Sequence, residues 1–465
     1  MATITEQSLD ELRFRLGGGL FEPGAPEYED TRTLFNAMID KRPALVARCA
    51  APDDVIAALA FAREHELEVT VRAGGHSVAG LSLNDGGLVL DVRGINDISV
   101  DPEARTARVG AGATWSEVDR ATQEHGLATT GGRVSTTGVA GLTMGGGSGW
   151  LERKHGLTVD NVLAAELVTA DGRIVRASED ENPDLLWALS GGGGNFGVVT
   201  ALEFRLHPVG PQVLAGLVLH PAERGRELLQ LWRDVMLDAP DELSLAFAYL
   251  GAPDEPDIPE HLRGGPAAAV AGMYAGPIEE GEEAVRAIRE FGPPDADFFE
   301  PMPYAEFQCS IDDPPGMRNY WTAEYLLEMP DEALDRIATR GEDKPVPFGQ
   351  VFCVAWGGAV PRMPADATPL QGRDAKFIVH PLVLWDDPAD DDAAMAWGRG
   401  FREDVAEFTT GDSYLNFMGE EGTARIRAAY GAENAERIAR IKAEWDPDDV
   451  FRAVGHVPPA EVARA

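Results

Sequence analysis

The chain has 465 residues and a formal net charge of −38, from 78 acidic and 40 basic residues. Its composition, 44% hydrophobic and 25% charged, is typical of a globular protein and excludes a largely disordered one. The length predicts two domains, because one hydrophobic core stops growing at about 250–300 residues. The acidic surface argues against nucleic-acid or membrane partners, since it repels phosphate backbones and anionic lipids. No stretch reaches the roughly 20 apolar residues that a membrane-spanning helix needs.

The cysteines and lysines indicate the environment of the protein. Cys49, Cys309 and Cys353 lie far apart without metal-ligand spacing, so we expect reduced thiols and no metal site. The N-terminal sequence lacks the basic start and apolar run of a secretory signal, and together these features predict a cytoplasmic location. Lysine occurs only at positions 41, 154, 344, 376 and 442, while acidic residues are spread along the whole chain. This pattern favours a halophilic protein from a salt-rich cytoplasm, and a merely acidic mesophilic protein is the alternative.

Short strands alternate with a few helices in the first part of the chain. Apolar and β-branched runs predict strands at 43–49, 67–72, 88–92, 106–112 and 197–208. Residues 164–178 predict a β-hairpin that turns at Asp171-Gly172. Helices are predicted from Asp53 onward and at 115–126.

After Pro208 the pattern changes to longer strands interleaved with helices. Strand candidates include FGQVFCVAW and 377–385, with helices at 223–237, 279–290, 331–340, near 390–408 and at 420–444. We predict an α+β protein with an N-terminal domain (1–207), a middle domain (208–412) built on an antiparallel sheet covered by helices, and a C-terminal segment (413–465) that returns to the first domain.

Two glycine-rich segments of the first domain are candidates for a binding site. In the first, VRAGGHSVAG (71–80), glycines let backbone N–H groups turn toward one anion, although a tight turn with an incidental histidine has the same sequence. In the second, TTGGRVSTTGVAGLTMGGGSGW (129–150), seven glycines fall within residues 131–147. That density predicts an irregular loop rather than a packed helix. Apolar residues such as Val134 and Leu142 interrupt it, which favours a loop that cradles a ligand over a flexible linker.

Two further segments are less specific on their own. Residues 190–200 contain a formal GxGxxG at Gly192, Gly194 and Gly197, but a predicted helix precedes it and a strand follows. A dinucleotide-binding Rossmann motif needs the opposite order, so this interpretation is rejected. In SYLNFMG (413–419), Tyr414 and Asn416 would share a face of an extended segment, but the segment taken alone favours a core tyrosine.

Taken together, these motifs resemble a known family. VRAGGHS, GRVSTTGVAGLTMGGGSGWL, GLTVDNVLAAELVTADG and DLLWALSGGGGNFGVVTALEFRLHP occur in the order found in the PCMH-type FAD-binding domain of the vanillyl-alcohol oxidase superfamily. Tyr414-Leu-Asn416 and IKAEWDPDDVFRAVGHVPP resemble the closing segment of its berberine-bridge-enzyme-like group. The resemblance implies a flavoenzyme in which residues 1–207 bind FAD.

The resemblance also implies roles for individual residues. It assigns His76 as the covalent attachment point of FAD. It assigns further FAD contacts to Arg72, Ala73, Gly74, Gly75, Ser77, Thr136, Thr137, Gly138, Gly141, Gly146, Asn161, Gly197 and Val199. Many relatives carry a second tether, a cysteine at the position of Val134. We therefore expect a flavin held by one bond, at a site less suited to bulky substrates such as oligosaccharides.

By the same resemblance, Tyr414 is the candidate catalytic base and Asn416 positions the flavin or the tyrosine. The ordinary tyrosine pKa of about 10 would have to be lowered for this role. Substrate contacts are expected from Tyr320, Trp321 and Tyr325, although an aromatic cluster is also normal core material. Thr137 lies where relatives gate the access of O2, so O2 or another acceptor would reoxidise the flavin.

Three functions remain open from the sequence. The favoured one is FAD-dependent oxidation of a CH–OH carbon of a small alcohol or sugar-like molecule. The second is oxidation of an amine (CH–NH), because relatives such as 6-hydroxy-D-nicotine oxidase carry a flavin tethered through one histidine. The third is a non-catalytic flavoprotein that sequesters a small molecule.

Overall fold

The computed structural model describes residues 4–292, 294–419, 422–453 and 455–461. The first part of the chain contains two sheets. Its strands are β1 Leu20–Phe21, β2 Leu45–Arg48, β3 Val69–Arg72, β4 Leu88–Asp91, β5 Ile98–Asp101, β6 Thr106–Gly110, β7 Leu127–Ala128, β8 Val162–Val168, β9 Ile174–Ser178, β10 Val198–Arg205 and β11 His207–Pro208. Its helices are α1 Glu6–Arg15, α2 Tyr28–Arg32, α3 Pro52–Glu64, α4 Trp115–Gln123, α5 Val139–Met144, α6 Glu152–His155 and α7 Pro183–Leu189.

The two sheets of this part differ in strand direction. One has the order β1-β2-β4-β3, with β4 parallel to both β2 and β3, and helix α3 is the crossover connection from β2 to β3. The other is antiparallel with the order β5-β6-β10-β8-β9. The predicted hairpin is present as β8 and β9, and Gly172 adopts a positive φ of 83° in its turn.

The second part of the chain is built on a nine-stranded antiparallel sheet. Its strands are β12 Gln212–Pro221, β13 Leu243–Gly251, β14 Pro266–Tyr274, β15 Ala296–Asp297, β16 Glu300–Pro303, β17 Arg318–Trp321, β18 Glu324–Leu326, β19 Gln350–Ala355 and β20 Phe377–Trp385. Its helices are α8 Gly225–Leu237, α9 Ile278–Arg289, α10 Tyr304–Phe307, α11 Asp331–Glu342 and α12 Asp391–Val405. The main strand order is β15-β12-β14-β13-β19-β20-β17, while β16 pairs with β12 and β18 with β20.

Helices cover one face of this large sheet. Phe247 and Tyr249 of β13 are fully buried in one apolar core with Trp232 of α8 and Ile337 of α11. The intervening residues of β13, such as Ala248, point to the opposite face, because side chains alternate along a strand. That opposite face is available to form a site with the first part of the chain. The α+β fold class with an antiparallel sheet covered by helices is confirmed.

The C-terminal helix packs against the first part of the chain. Helix α13 spans Thr423–Trp445, with a kink at Gly431 where φ is 70°. Its Tyr430 and Ile438 are fully buried in the same core as residues of β2, β8 and β10. No helix of the described chain is long and apolar enough to cross a membrane. The proposed domain boundaries stay a prediction.

The prediction of an irregular loop throughout 129–150 is wrong at one place. Residues Val139–Met144 form α5, with Gly138 and Gly145 just outside its two ends. Only Gly141 lies inside the helix, and Val139, Ala140 and Thr143 bury one face of it. The glycines therefore act mainly at the helix ends, where their conformational freedom does not weaken the helix.

Stability is expected to rise with salt. Even if every basic residue paired with an acidic one, 78 minus 40, or 38, acidic residues would keep unbalanced charge. At 1 M salt the Debye length falls to about 3 Å, so their mutual repulsion is screened. We predict that the melting temperature climbs steadily between low and molar KCl or NaCl. A flat or falling curve would contradict the halophilic interpretation.

Candidate active site

One cavity of about 860 Å³ lies between the glycine segments and the uncovered face of the large sheet. The glycine wall is formed by residues 73–78, 137–145, 193–194 and 197. The opposite wall is formed by alternate residues of the sheet, namely Leu217, Leu219, Ala248, Leu250, Ala269, Ala271, Trp321, Gln350, Phe352, His380 and Leu382. The volume suits a large organic ligand, and both halves of the chain contribute to its site.

The two principal glycine segments meet backbone to backbone at Gly74 and Gly138. A Cβ built on Gly74 would lie 2.6 Å from the Gly138 Cα, and one built on Gly138 would lie 2.8 Å from the Gly74 Cα. Real Cβ atoms essentially never approach so closely. Glycine is required at both positions because any side chain would push the two segments apart.

These segments can bind an anion through their backbone. Within the described chain, the N–H groups of Gly74, Gly75, His76 and Ser77 have no hydrogen-bond acceptor. Unpaired N–H groups on consecutive residues form an anion-binding concavity, which suits the pyrophosphate of a dinucleotide. A Cβ on Gly141, which also lines the cavity, would have no atom within 4 Å. The residues present therefore fit FAD, because its flavin and nucleotide together need a long wall whose backbone they can approach closely.

His76 lies on this wall in a fixed orientation. Its Nε2 is 3.0 Å from the Thr136 hydroxyl, and its Nδ1 has a looser contact of 3.5 Å with the Thr137 hydroxyl. The ring of Phe35 stacks on the imidazole at 4.3 Å and 19°. Burial lowers the pKa of His76 to about 4, and the hydrogen bond with Thr136 only partly opposes this shift. The imidazole is therefore neutral at physiological pH and can act as a nucleophile toward a bound group.

Most of the predicted FAD contacts line the cavity. They are Ala73, Gly74, Gly75, His76, Ser77, Thr137, Gly138, Gly141, Gly197 and Val199. Val134, the position of the second tether in relatives, lines it as well. Thr136 lies beside the cavity and acts through its hydrogen bond to His76.

Three predicted FAD contacts point elsewhere. The Arg72 guanidinium donates to the carbonyl oxygens of Thr31 and Thr33. The Asn161 amide donates to the carbonyls of His155 and Leu157, and its Oδ1 lies 2.7 Å from His207 Nε2. Gly146 packs against the ring of Tyr414. None of the three residues lines the cavity, so their direct contact with FAD stays a prediction.

Tyr414 lies beneath the cavity wall rather than on it. Its hydroxyl accepts hydrogen bonds from the backbone N–H of Gly147 at 2.7 Å and of Ser148 at 2.9 Å, and from the Asn416 amide at 3.1 Å. Its ring is buried beside Trp356. Burial raises the pKa of Tyr414 to about 12, although the three donors oppose the shift. This environment argues against a catalytic base, a role that stays a prediction, and the Tyr414 hydroxyl fixes the glycine-rich loop.

Asn416 does line the cavity. Its amide donates to the Leu142 carbonyl at 2.9 Å as well as to the Tyr414 hydroxyl. Residues Leu415–Phe417 form a 3-10 turn rather than an extended segment, yet the Tyr414 and Asn416 side chains lie together, because they share a hydrogen bond. Asn416 therefore connects Tyr414, which lies beneath the cavity wall, with the surface of the cavity.

Tyr414→Phe is expected to lower stability while leaving flavin reduction within about threefold of wild type. The substitution leaves two buried N–H groups without an acceptor, which costs about 1–3 kcal/mol each. Tyr430→Phe is the matched control, because the buried Tyr430 hydroxyl makes only a 3.4 Å contact with the Gly191 carbonyl. Thermal unfolding and single-turnover flavin reduction measure the two effects. Slowing by about 10²–10⁴-fold with unchanged stability would restore Tyr414 as the base.

Of the three predicted substrate contacts, only Trp321 lines the cavity. Tyr320, its neighbour on β17, points to the other face of the sheet, where the Arg399 guanidinium lies 5.5 Å from its ring. Tyr325 is buried beside Trp356, with ring centroids 5.0 Å apart. Alternation turns Tyr320 away from the cavity, whereas Tyr325 pairs with Ile378 on the same face as His380 but is packed in a core with Trp356. Neither lines the cavity, so their contact with a substrate is not supported.

The sequence analysis missed several polar and aromatic lining residues. Gln350, Phe352 and His380 come from the sheet, Asp313 from the loop before β17, and Phe417 from the C-terminal segment. The one available signal was His380, a histidine within the apolar run FIVHPLVLW.

Comparison with known proteins agrees with this site. Residues 43–178 match the family "FAD binding domain", and residues 413–458 match "Berberine and berberine like". An FAD-linked oxidoreductase of Bacillus subtilis, YgaK, is 30% identical over 454 residues, covering 96% of this chain and 98% of that protein. The chain belongs to the berberine-bridge-enzyme-like FAD-linked oxidoreductases. It is thus an FAD enzyme of this family.

Another berberine-like relative has a named reaction and a solved structure. The (R)-6-hydroxynicotine oxidase of Paenarthrobacter nicotinovorans is 30% identical over 459 residues, covering 94% of this chain and 95% of that enzyme. The crystal structure of 6-hydroxy-D-nicotine oxidase from Arthrobacter nicotinovorans superposes with a TM-score of 0.85 at 28% identity, covering 95% and 98% of the two chains. The berberine-like fold is therefore shared over nearly the whole length.

Proposed function

We propose that the protein oxidises a small, largely apolar organic molecule at a carbon that bears a hydroxyl or an amino group. The observation that carries this proposal is the cavity of about 860 Å³, in which the glycine wall with His76 faces a largely apolar sheet wall. When bound, FAD supplies the oxidising power by taking a hydride from the substrate carbon. The chain's own residues hold the reactants, exclude water and accept the proton from the heteroatom.

We further propose that FAD is attached through His76 alone. Three features support the tether: the neutral imidazole, its fixed orientation and the loose contact of Nδ1. Val134 cannot form a thioether, so one bond is expected. The small Thr137 on the glycine wall leaves room for O2 as the acceptor, which stays a proposal, as does the cytoplasmic location.

The lining favours a mainly apolar substrate over a sugar. Of the eleven sheet residues named above, eight have no polar side-chain atom. The other three are Gln350, His380 and Trp321, and the Trp321 indole already donates to Asn319 at 3.2 Å. A sugar needs many such partners, since each unpaired hydroxyl costs free energy on burial. The sugar-like substrate predicted from the sequence is thus less suitable than an alcohol or amine with an apolar body.

A panel screen tests this function directly. Purified protein is mixed anaerobically with aromatic and aliphatic alcohols, amines and sugars, and the visible absorbance of the oxidised flavin is followed. We expect bleaching by alcohols or amines that carry an apolar group. Tight binding without bleaching by any compound would instead support the sequestering role.

A further inference from the structure

A turn at residues 134–137 contacts both ring nitrogens of His76. Thr136 lies 3.0 Å from Nε2 and Thr137 lies 3.5 Å from Nδ1, each through its side-chain hydroxyl. The turn is closed by a hydrogen bond of 3.1 Å from the Thr137 N–H to the Val134 carbonyl. Because both contacts come from one turn, the orientation of the imidazole depends on where this turn lies.

Two separate segments hold the turn. At the start of α4, the Ser116 N–H donates to the Ser135 carbonyl at 2.9 Å. The neighbouring Trp115 N–H donates to the Thr137 carbonyl at 3.1 Å. The second segment is the loop before β17, in the second part of the chain, where one carboxylate oxygen of Asp312 accepts the Ser135 N–H at 2.6 Å and the other accepts the Ser135 hydroxyl at 2.5 Å. Both parts of the chain therefore fix the turn.

Asp312 belongs to a segment that is anchored at its other end as well. The fully buried Gln308 side chain lies four residues earlier and donates to the Asp119 carboxylate of α4 at 3.0 Å. It also makes a longer contact of 3.4 Å with the carbonyl of Gly132, which lies shortly before Ser135. The segment is thus attached to the first part of the chain at both ends, which holds the Asp312 carboxylate in place.

Asp312 acts on His76 through the backbone of the turn. Burial lowers the pKa of His76 to about 4, and among the described residues the hydrogen bond with Thr136 is the one influence that opposes this shift. The Asp312 carboxylate therefore does not set the charge of the imidazole. It sets the position of Ser135, because hydrogen bonds to an ionised carboxylate are roughly twice as strong as those to a neutral group. Ser135 and Thr136 are consecutive, so a displacement of one moves the other.

We infer that Asp312 is a positioning residue for the attachment of FAD: by holding Ser135 it fixes the turn that orients the His76 imidazole. This inference rests on the tether proposed above. In the attachment, the imidazole N–H bond and one C–H bond of a flavin methyl group break, and an N–C bond forms. The two protons and two electrons released pass to the flavin ring and from there to O2, which becomes hydrogen peroxide. Attachment therefore requires the second part of the chain to be docked on the first.

Attachment is more sensitive to the Asp312–Ser135 contact than binding is. FAD binds along the whole glycine wall, whereas attachment requires one imidazole nitrogen to point at one carbon atom. A misplacement of about 1 Å can slow such a positioned reaction by about 10²-fold. Without Asp312 the turn stays attached through α4 alone, so we expect binding to be retained and attachment to be slower.

The test measures attachment separately from binding. Apoprotein from riboflavin-starved cells is mixed with FAD in air, binding is followed by the quenching of flavin fluorescence, and acid precipitation at intervals separates attached from released flavin. Asp312→Asn keeps the shape of the side chain but replaces one acceptor oxygen with an amide nitrogen that cannot accept. We expect the dissociation constant of FAD to stay within about threefold and attachment to slow by about 10- to 10²-fold.

Two further variants separate positioning from a general loss of structure. Asp54→Asn is the matched control, because the Asp54 carboxylate also accepts backbone N–H groups, from Gly17 at 3.1 Å and Ala50 at 2.8 Å, but does not line the cavity. It should attach FAD at the wild-type rate. Ser135→Ala removes the hydroxyl that Asp312 accepts, so it should slow attachment and keeps the test valid if Asp312→Asn fails to fold.

Wild-type attachment rates in Asp312→Asn and Ser135→Ala would overturn the inference, as would equal slowing in Asp54→Asn. Weaker FAD binding that accounts for all of the slowing would overturn it too, because the contact would then hold the cofactor site as a whole. Wild-type protein that releases all of its flavin on denaturation would refute the tether itself. That failure is distinguishable, because it is seen before any variant is made.

Discussion

Gly74→Ala is expected to yield protein that folds in part but carries little or no FAD. The new Cβ would lie 2.6 Å from the Gly138 Cα, with the Gly138 nitrogen closer still. Neither atom can move as the end of a flexible side chain could, since both belong to the backbone. The two glycine segments must separate, at a cost of about 1–3 kcal/mol for forcing extra volume into a packed site. The N–H groups of residues 74–77 then lose the arrangement that binds an anion.

The measurement is the ratio of flavin absorbance to protein absorbance after purification. Gly17→Ala is the matched control, because its Cβ would meet Asp54 and Ala50 only at 3.4 and 3.5 Å and Gly17 is not in a left-handed conformation. We expect at least a tenfold drop in bound flavin for Gly74→Ala and none for Gly17→Ala. A fully loaded Gly74→Ala protein would show that these segments do not form the flavin site.

His76→Ala is expected to change the flavin from fully retained to fully released on denaturation. With the proposed tether, wild-type protein keeps its yellow fluorescence on a denaturing gel. Without the imidazole, FAD can still bind through the backbone of the glycine wall but leaves the protein when it unfolds. Colour that stays with the denatured variant would indicate another attachment point.

The glycine wall could be predicted from the sequence because close backbone approach tolerates only glycine. Gly74 and Gly138 are 64 residues apart, but each lies in a glycine-rich segment that is recognisable in the sequence. The family resemblance then predicts that both segments contribute to one site. Helix α5 was missed because the density of glycines was averaged over 129–150, whereas the glycines lie mostly at the helix ends. The composition of a window does not show whether its glycines lie inside a helix or at the ends of one.

The sheet wall of the cavity could not be predicted in the same way. Gln350, Phe352 and His380 come from two strands, and only the register of β19 with β20 places them on one face. The face of the sheet to which each side chain points could not be predicted either, since a shift of one residue exchanges the two faces of a strand. Tyr320 and Trp321 illustrate this: the pair was correctly located in the middle domain, but one side chain points to each face. The hydrogen bonds of the Tyr414 hydroxyl with the N–H groups of Gly147 and Ser148 could not be predicted either, since the partners are 267 and 266 residues apart in the chain.

The most direct test of the central claim, that FAD is held in this cavity through His76, is peptide mapping. Trypsin cleaves after Arg72 and Arg93, and the peptide 73–93 contains His76 as its one histidine and no cysteine. The account predicts that the mass of FAD is found on this peptide, on His76, and that peptides with Cys49, Cys309 and Cys353 are unmodified. An unmodified 73–93 peptide from flavin-loaded protein, or flavin on any other residue, would contradict it.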